Sequence, residues 1–421
     1  MLMVAALGLP AISMSPIAAQ AATTRMMSHP EIAGGAPSTT NPPLLAALTD
    51  PTGLPATAFG ASVGLSGNTA VVGAPYSLNN QGIAYIYTKS SRGWRTNPTV
   101  VLHDPGNQSV NFGLKVAISG SVIMIGVPQA AASSGTLGAV YVYTKTSKGW
   151  PATPSATLTC SSTCGQGFGT AVKISGTAAV IVDGNFAHVY SESRGGWLLR
   201  ATLVDPLSAQ GDGFNSVALS GTTVVLGAAY APYSASGPGG GTAFIYSEKA
   251  GVWPTSPTTI LNDPVGPVTG SAGTDDFGYS VAVAGTTVTV GAVGGNGTNI
   301  PNGAAFLYTA TIGGVWPTSP SVSLLGTYPY GEFGYSMAMS FSATTNITML
   351  FVGAPSLNGV VGVYATSKGI WSTSPSATIG GPLQYGELGA SLFHSGTTLI
   401  GGAPGGNGGA GAVGHAYIYG V

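Results

Sequence analysis

The sequence predicts an all-β chain: a seven-bladed β-propeller of four-stranded antiparallel blades, its ring closed by the N-terminal strand. Three observations predict it. A Phe-Gly pair recurs at Phe59-Gly60, Phe112-Gly113, Phe168-Gly169, Phe277-Gly278 and Phe333-Gly334, with degenerate copies at Phe214-Asn215 and Leu388-Gly389, 46 to 63 residues apart. After each pair come strand-length runs of β-branched and aromatic residues, split by Gly, Ser, Pro and Asn. All six tryptophans (Trp94, Trp150, Trp197, Trp253, Trp316, Trp371) hold the same place in their unit. Four strands repeated seven times make radial blades.

The first run of each unit ends in a Ser-Gly turn, as in "VGLSGNT", "VAISGSV" and "VKISGTA". Glycine there supplies the positive φ that a tight hairpin needs. The second run ends near Gly-Ala-Pro ("AVVGAP", "LFVGAP", "LIGGAP"), and the third ends in an aromatic triplet ("AYIY", "VYVY", "AFIY"). A Gly and Trp then open the fourth, with Pro four residues after five of the six tryptophans, as suits an outer edge strand. The tryptophan reads as a packing group between blades. The last unit stops at "AYIYGV" before any fourth run. Its missing strand is supplied by "LLAALTDP" (Leu44–Pro51), which matches "VVLHDP", "ATLVDP" and "TILNDP" and removes the open sheet edge.

Charged residues are only 6% of the chain, while hydrophobic ones are 44%, so the composition is that of a packed β protein rather than a disordered one. A net charge of −1 gives no electrostatic footprint for nucleic acid or an anionic membrane. Residues 1–18 are apolar and uncharged and precede Ala19-Gln20-Ala21, a small-x-small cleavage pattern, so residues 1–21 read as a signal peptide. Residues 22–43 then read as a flexible linker and 44–421 as the propeller. In an exported chain the two cysteines, Cys160 and Cys164, are expected to form a short disulfide loop.

The recurring pattern FG…SVA.SG…VVGAP…G.AYIY resembles the FG-GAP repeat, the module of the integrin α-subunit propeller and of many exported bacterial proteins. The resemblance spans about residues 44–421. It implies a seven-bladed propeller, placement outside the cell, and binding through loops on one face. Many relatives carry acidic calcium loops between the first two strands of a blade. Here the corresponding turns are Ser66-Gly67, Ser119-Gly120, Ser175-Gly176, Ser220-Gly221, Ala284-Gly285 and Ser395-Gly396, without a carboxylate. Calcium takes six to eight oxygen ligands. No metal is expected at these turns, and no cofactor is expected elsewhere.

Gly60-Ala61-Ser62-Val63-Gly64 fits G-x-S-x-G, the spacing of a hydrolase nucleophile elbow. The elbow needs a strand-to-helix turn, whereas a second strand run follows here. Serines recur at the same place at Ser280, Ser336 and Ser391, so Ser62 reads as a structural position. Residues 406–411 fit G-x-G-x-x-G without a following helix, and the five histidines have no ligand spacing. Most acids fall in loops between blades, among them Asp50, Asp104, Asp205 and Asp263. Bases such as Lys89, Arg92, Lys145, Lys148, Arg194 and Lys249 fall in the third-to-fourth hairpins. Propeller topology sends these two sets to opposite ends of the disc, predicting an acidic and a basic face. The plainer reading is that each Asp-Pro starts a turn and each Lys solubilises a hairpin tip.

The acidic face also carries the longest, most irregular loops, where binding usually resides. Its candidate ligand-binding residues are Asp212, Asp275, Asp276, Glu332, Glu387, Tyr230, Tyr233, Tyr328 and Tyr330. The expected function is non-catalytic recognition or adhesion by a secreted or cell-surface monomer, with a protein partner, or a glycan in a lectin-like alternative. A propeller hydrolase or lyase is the third reading and needs converging His, carboxylate and Arg groups.

Overall fold

The structure is a computed structural model. It describes residues 41–421 except 107–109, 132–136, 161–163, 166, 208–212, 231–239, 267–273, 295–299, 328–330, 357–358, 368, 384–385 and 406–412. The expected signal peptide (1–21), most of the linker and the 406–411 glycine motif therefore lie outside the described residues.

Seven antiparallel sheets follow one another along the chain. In the first blade, Ser62–Ser66 is the inner strand, followed outward by Thr69–Ala74, Ile83–Ser90 and Val100–His103. In the seventh, Ser391–Ser395, Thr398–Ala403 and His415–Gly420 are completed by Leu44–Thr49, which pairs antiparallel to His415–Gly420. The N-terminal strand therefore closes the ring. Outside the third blade, where Gly196–Val204 runs through Trp197, the fourth strand begins after the tryptophan rather than with it.

The buried side chains form seven layers between neighbouring blades rather than one centre. Val71, Ile86 and Leu102 of blade one pack with Phe112, Ile125 and Trp150 of blade two, and the other seams repeat this arrangement. Trp150, Trp316 and Trp371 are buried in these layers.

The two signature motifs meet at the seams. A Cβ on Gly73, in the Gly-Ala-Pro of blade one, would lie 1.9 Å from the carbonyl oxygen of Gly113, in the Phe-Gly of blade two. Real Cβ atoms do not approach an oxygen so closely, so the backbones touch only because both residues lack side chains. The same pairing recurs at Gly126 with Gly169 and at Gly402 with Gly60. At the seam between blades three and four both partners change. Val182 follows the pairing of Ile181 with Val172 and takes the glycine place, and the facing pair is Phe214-Asn215. The Asn215 amide donates to the Tyr279 carbonyl, and its oxygen accepts the Ala229 N–H.

Candidate functional site

Ser62 explains the elbow-like motif. Its Oγ accepts the Val116 N–H of the next blade at 3.0 Å. Its counterparts Ser216, Ser280, Ser336 and Ser391 donate to the Phe-Gly (Leu-Gly in blade seven) glycine carbonyls of the following blades at 2.6–2.8 Å. Ser66 and Ser119 of the Ser-Gly turns likewise accept the N–H groups of Gly120 and Gly176. These serines are stitches between blades.

The acidic face differs from its expectation. Asp50, Asp104, Asp205, Asp263 and Asp275 are all buried. Asp50 accepts the Thr52 N–H, Asp205 the Leu207 N–H and Asp263 the Val265 N–H. Their carboxylates turn inward to close the Asp-Pro turns, as side chains of this length do. Asp275 accepts the Ile300 N–H and is hydrogen-bonded to Asp263, whose pKa is pushed well above the ordinary carboxylate range, first by burial. The basic hairpin tips at Lys89, Arg92, Lys145, Lys148, Arg194 and Lys249 are exposed.

Of the candidate residues, Asp212, Tyr233, Tyr328 and Tyr330 lie outside the described residues, and Asp275 is buried. Asp276, Glu332, Glu387 and Tyr230 remain, and the structure brings them together. The three acids occupy one repeated position, immediately before the Phe-Gly or Leu-Gly pair. Each has a left-handed backbone, with φ of 54°, 54° and 57°. Blades three and four place Gly167 and Gly213 there, residues for which that conformation is unstrained. Blades one and two place Ala58 and Asn111 there, also left-handed, so the conformation belongs to the turn of the repeat. Its cost of about 1–2 kcal/mol for a non-glycine residue is not particular to the acids, and what sets blades five to seven apart is the carboxylate.

Each acid's carbonyl receives the N–H of the residue after the glycine, and in blades five and six that residue is Tyr279 or Tyr335. Tyr279 falls where the strand register shifts between Phe277 and Ser280, and a bulge of this kind re-aims its side chain. The Tyr279 and Tyr335 rings stand 4.9 Å apart and, with Tyr230, line the upper mouth of the central bore. Tyr230 is 60% exposed. Its hydroxyl pKa is raised by burial and then by the negative charge of Asp276. Glu387 is raised by burial and by Glu332 beside it, and Asp276 by burial against its bond from Thr274. The result is a half-buried crescent of acids and tyrosines across blades four to seven. Glu387 is repelled by Glu332 and Asp276 by Asp275, an excess of negative charge that favours a cationic partner. Tyr279 and Tyr335 were missed as sequence candidates, although both directly follow Phe-Gly.

Cys160 and Cys164 are disulfide-bonded. Among the described residues, one grouping of three metal-ligand side chains occurs, Cys160, Asp183 and His188, with donor atoms within 4.8 Å of one another. The disulfide leaves it no thiolate to offer an ion. The His188 Nε2 lies 3.5 Å from Asp183 Oδ2, which also accepts the Gly165 N–H, so the cluster ties the disulfide loop to blade three.

Fold and site together define a seven-bladed β-propeller whose distinctive surface is the mouth of its bore. The FG-GAP repeat family model matches residues 44–87 and 269–308. The chain carries FG-GAP repeats, and its architecture is consistent with an integrin-like FG-GAP propeller. The WD40 domain of Toxoplasma gondii coronin is similar in structure. The match covers 90% of this chain and 87% of that domain, with a TM-score of 0.57 at 8% identity, which is a likeness of fold alone. No curated protein sequence matches the chain. No helix among the described residues is long and apolar enough to cross a membrane.

Proposed function

We propose that this chain is a non-catalytic, extracellular recognition module that acts as a monomer and binds a protein partner through the upper mouth of its bore. The observation that carries the reading is the crescent of Asp276, Glu332 and Glu387 beside Tyr230, Tyr279 and Tyr335. Half-buried carboxylates at one repeated position in three consecutive blades, next to aromatic rings with a polar tip, suit an arginine or lysine side chain of a partner. The FG-GAP repeats support placement outside the cell.

The test is binding of the wild type and of a D276N/E332Q/E387Q variant to the native cell surface, with a glycan array run in parallel. The reading expects at least tenfold weaker, less salt-sensitive surface binding by the variant, and it fails if the variant binds like the wild type. The Tyr279–Tyr335 pair favours a second, lectin-like reading, since sugars stack on such rings. That reading expects array binding which Y279A abolishes and the triple variant retains.

A further inference from the structure

The bore contains two lysines that the mouth reading does not use. At the inner-strand position opposite the Gly-Ala-Pro glycine, five blades carry serine, but blade two carries Lys115. Two residues further along, five blades carry Gly64, Ala117, Ala218, Ala282 or Ala338. Blade three has Lys173 there and blade seven has Phe393. These two large side chains meet across the ring, with Lys173 Nζ 4.4 Å from the centre of the Phe393 ring. The contact divides the bore into an upper and a lower chamber, each of about 470 Å³, and Lys173 and Phe393 line both.

Neither chamber is lined by a carboxylate among the described residues, and neither lysine is ion-paired there. The upper chamber surrounds the lysines with hydroxyls, rings and aliphatic groups in about equal measure, and an ammonium held out of bulk water without a carboxylate beside it is destabilised. Burial accordingly lowers the pKa of Lys115, and that of Lys173 to about 8. The ring contact with Phe393 replaces only part of the lost hydration. Two independent departures from the repeat therefore place uncompensated positive charge in one chamber, which also presents the rings of Tyr279, Tyr335 and Phe393.

We propose that the upper chamber binds a small organic carboxylate, its charge held by Lys115 and Lys173 and its body resting on these rings. The volume suits one such molecule. The rim acids stand outside the chamber lining, so neutralising them strengthens carboxylate binding while it weakens the protein partner. The two sites share the Tyr279 and Tyr335 rings and are separable through their charged residues, the acids for one and the lysines for the other.

Calorimetric titration at pH 7 and fixed ionic strength tests this, with benzoate, glucuronate and acetate as probes and sulfate as the inorganic arm. The expected result is saturable binding of one organic carboxylate per chain, at least tenfold weaker in K115S and in K173A. Both variants introduce residues that other blades carry at those positions, so both should fold. If either unfolds, proton uptake by the wild type decides. At pH 8 a bound carboxylate protonates Lys173 further, which reads as a heat that varies with the buffer. No saturable binding at tens of millimolar, wild-type affinity in both variants, sulfate binding as tightly as the carboxylates, or binding without proton uptake overturns the proposal.

Discussion

Replacing Gly73 with alanine tests the physical meaning of the repeat. The added Cβ would stand 1.9 Å from the Gly113 carbonyl oxygen and 2.9 Å from its carbonyl carbon. Both are backbone atoms, so no side chain can rotate away. Relief requires the second blade to move by more than an ångström, at a seam where Ser62 and Val116 are hydrogen-bonded at 3.0 Å. Overpacking in a core costs about 1–3 kcal/mol and more where the backbone must shift, so G73A should lose about 3–5 kcal/mol. Gly67→Ala is the control. Gly67 has φ of 52° and open space around it, so alanine there brings only backbone strain, about 1–2 kcal/mol. Urea unfolding followed by circular dichroism reads both, and the lost stability should appear as a lower midpoint for G73A. A cost for G73A no larger than for G67A would refute the close-contact account of the motif.

Ser62→Ala should destabilise the chain by about 1–2 kcal/mol by leaving the Val116 N–H without its acceptor, and proton exchange at that amide should quicken. Asn215→Gly restores the motif residue but removes two hydrogen bonds, at about 1–3 kcal/mol. Thermal melts should show a loss, where a motif-only view expects a gain. The pH dependence follows from Asp263. Its folded pKa is raised above the unfolded value, so the folded chain binds more protons and stability falls as pH rises from about 4 towards neutrality. Asp263→Asn keeps a partner for the Val265 N–H and for Asp275 and should flatten that fall. An unchanged Tm-against-pH slope in D263N would count against the carboxyl pair.

The ring and its blade count were legible because a steric requirement repeats. At six of the seven seams the blade backbones touch glycine to glycine, and Phe-Gly and Gly-Ala-Pro record those places in the chain. Strand closure was legible for a similar reason, since Leu44–Thr49 carries the pattern of a fourth strand. The acidic face was not legible. Asp50, Asp104, Asp205 and Asp263 were legible singly as the starts of Asp-Pro turns, and three of them cap those turns; only the fold shows that all four carboxylates are buried and so withdrawn from the face. Asp276, Glu332 and Glu387 were recognisable as acids near blade boundaries, but their shared left-handed backbone depends on three-dimensional closure of the turn. Lys115 and Lys173 were missed because a single lysine inside an apolar run reads as a solvated residue. Comparing the units position by position exposes them, since serine or a small residue holds their place in most other blades.

The most direct measurement is selection of a random peptide display library on the intact protein, with the D276N/E332Q/E387Q variant selected in parallel. Recognition through the crescent predicts that peptides rich in arginine or lysine are enriched by the wild type, are displaced by moderate salt, and are not enriched by the variant. The same peptides recovered on both proteins, or peptides without basic residues on the wild type, would contradict it.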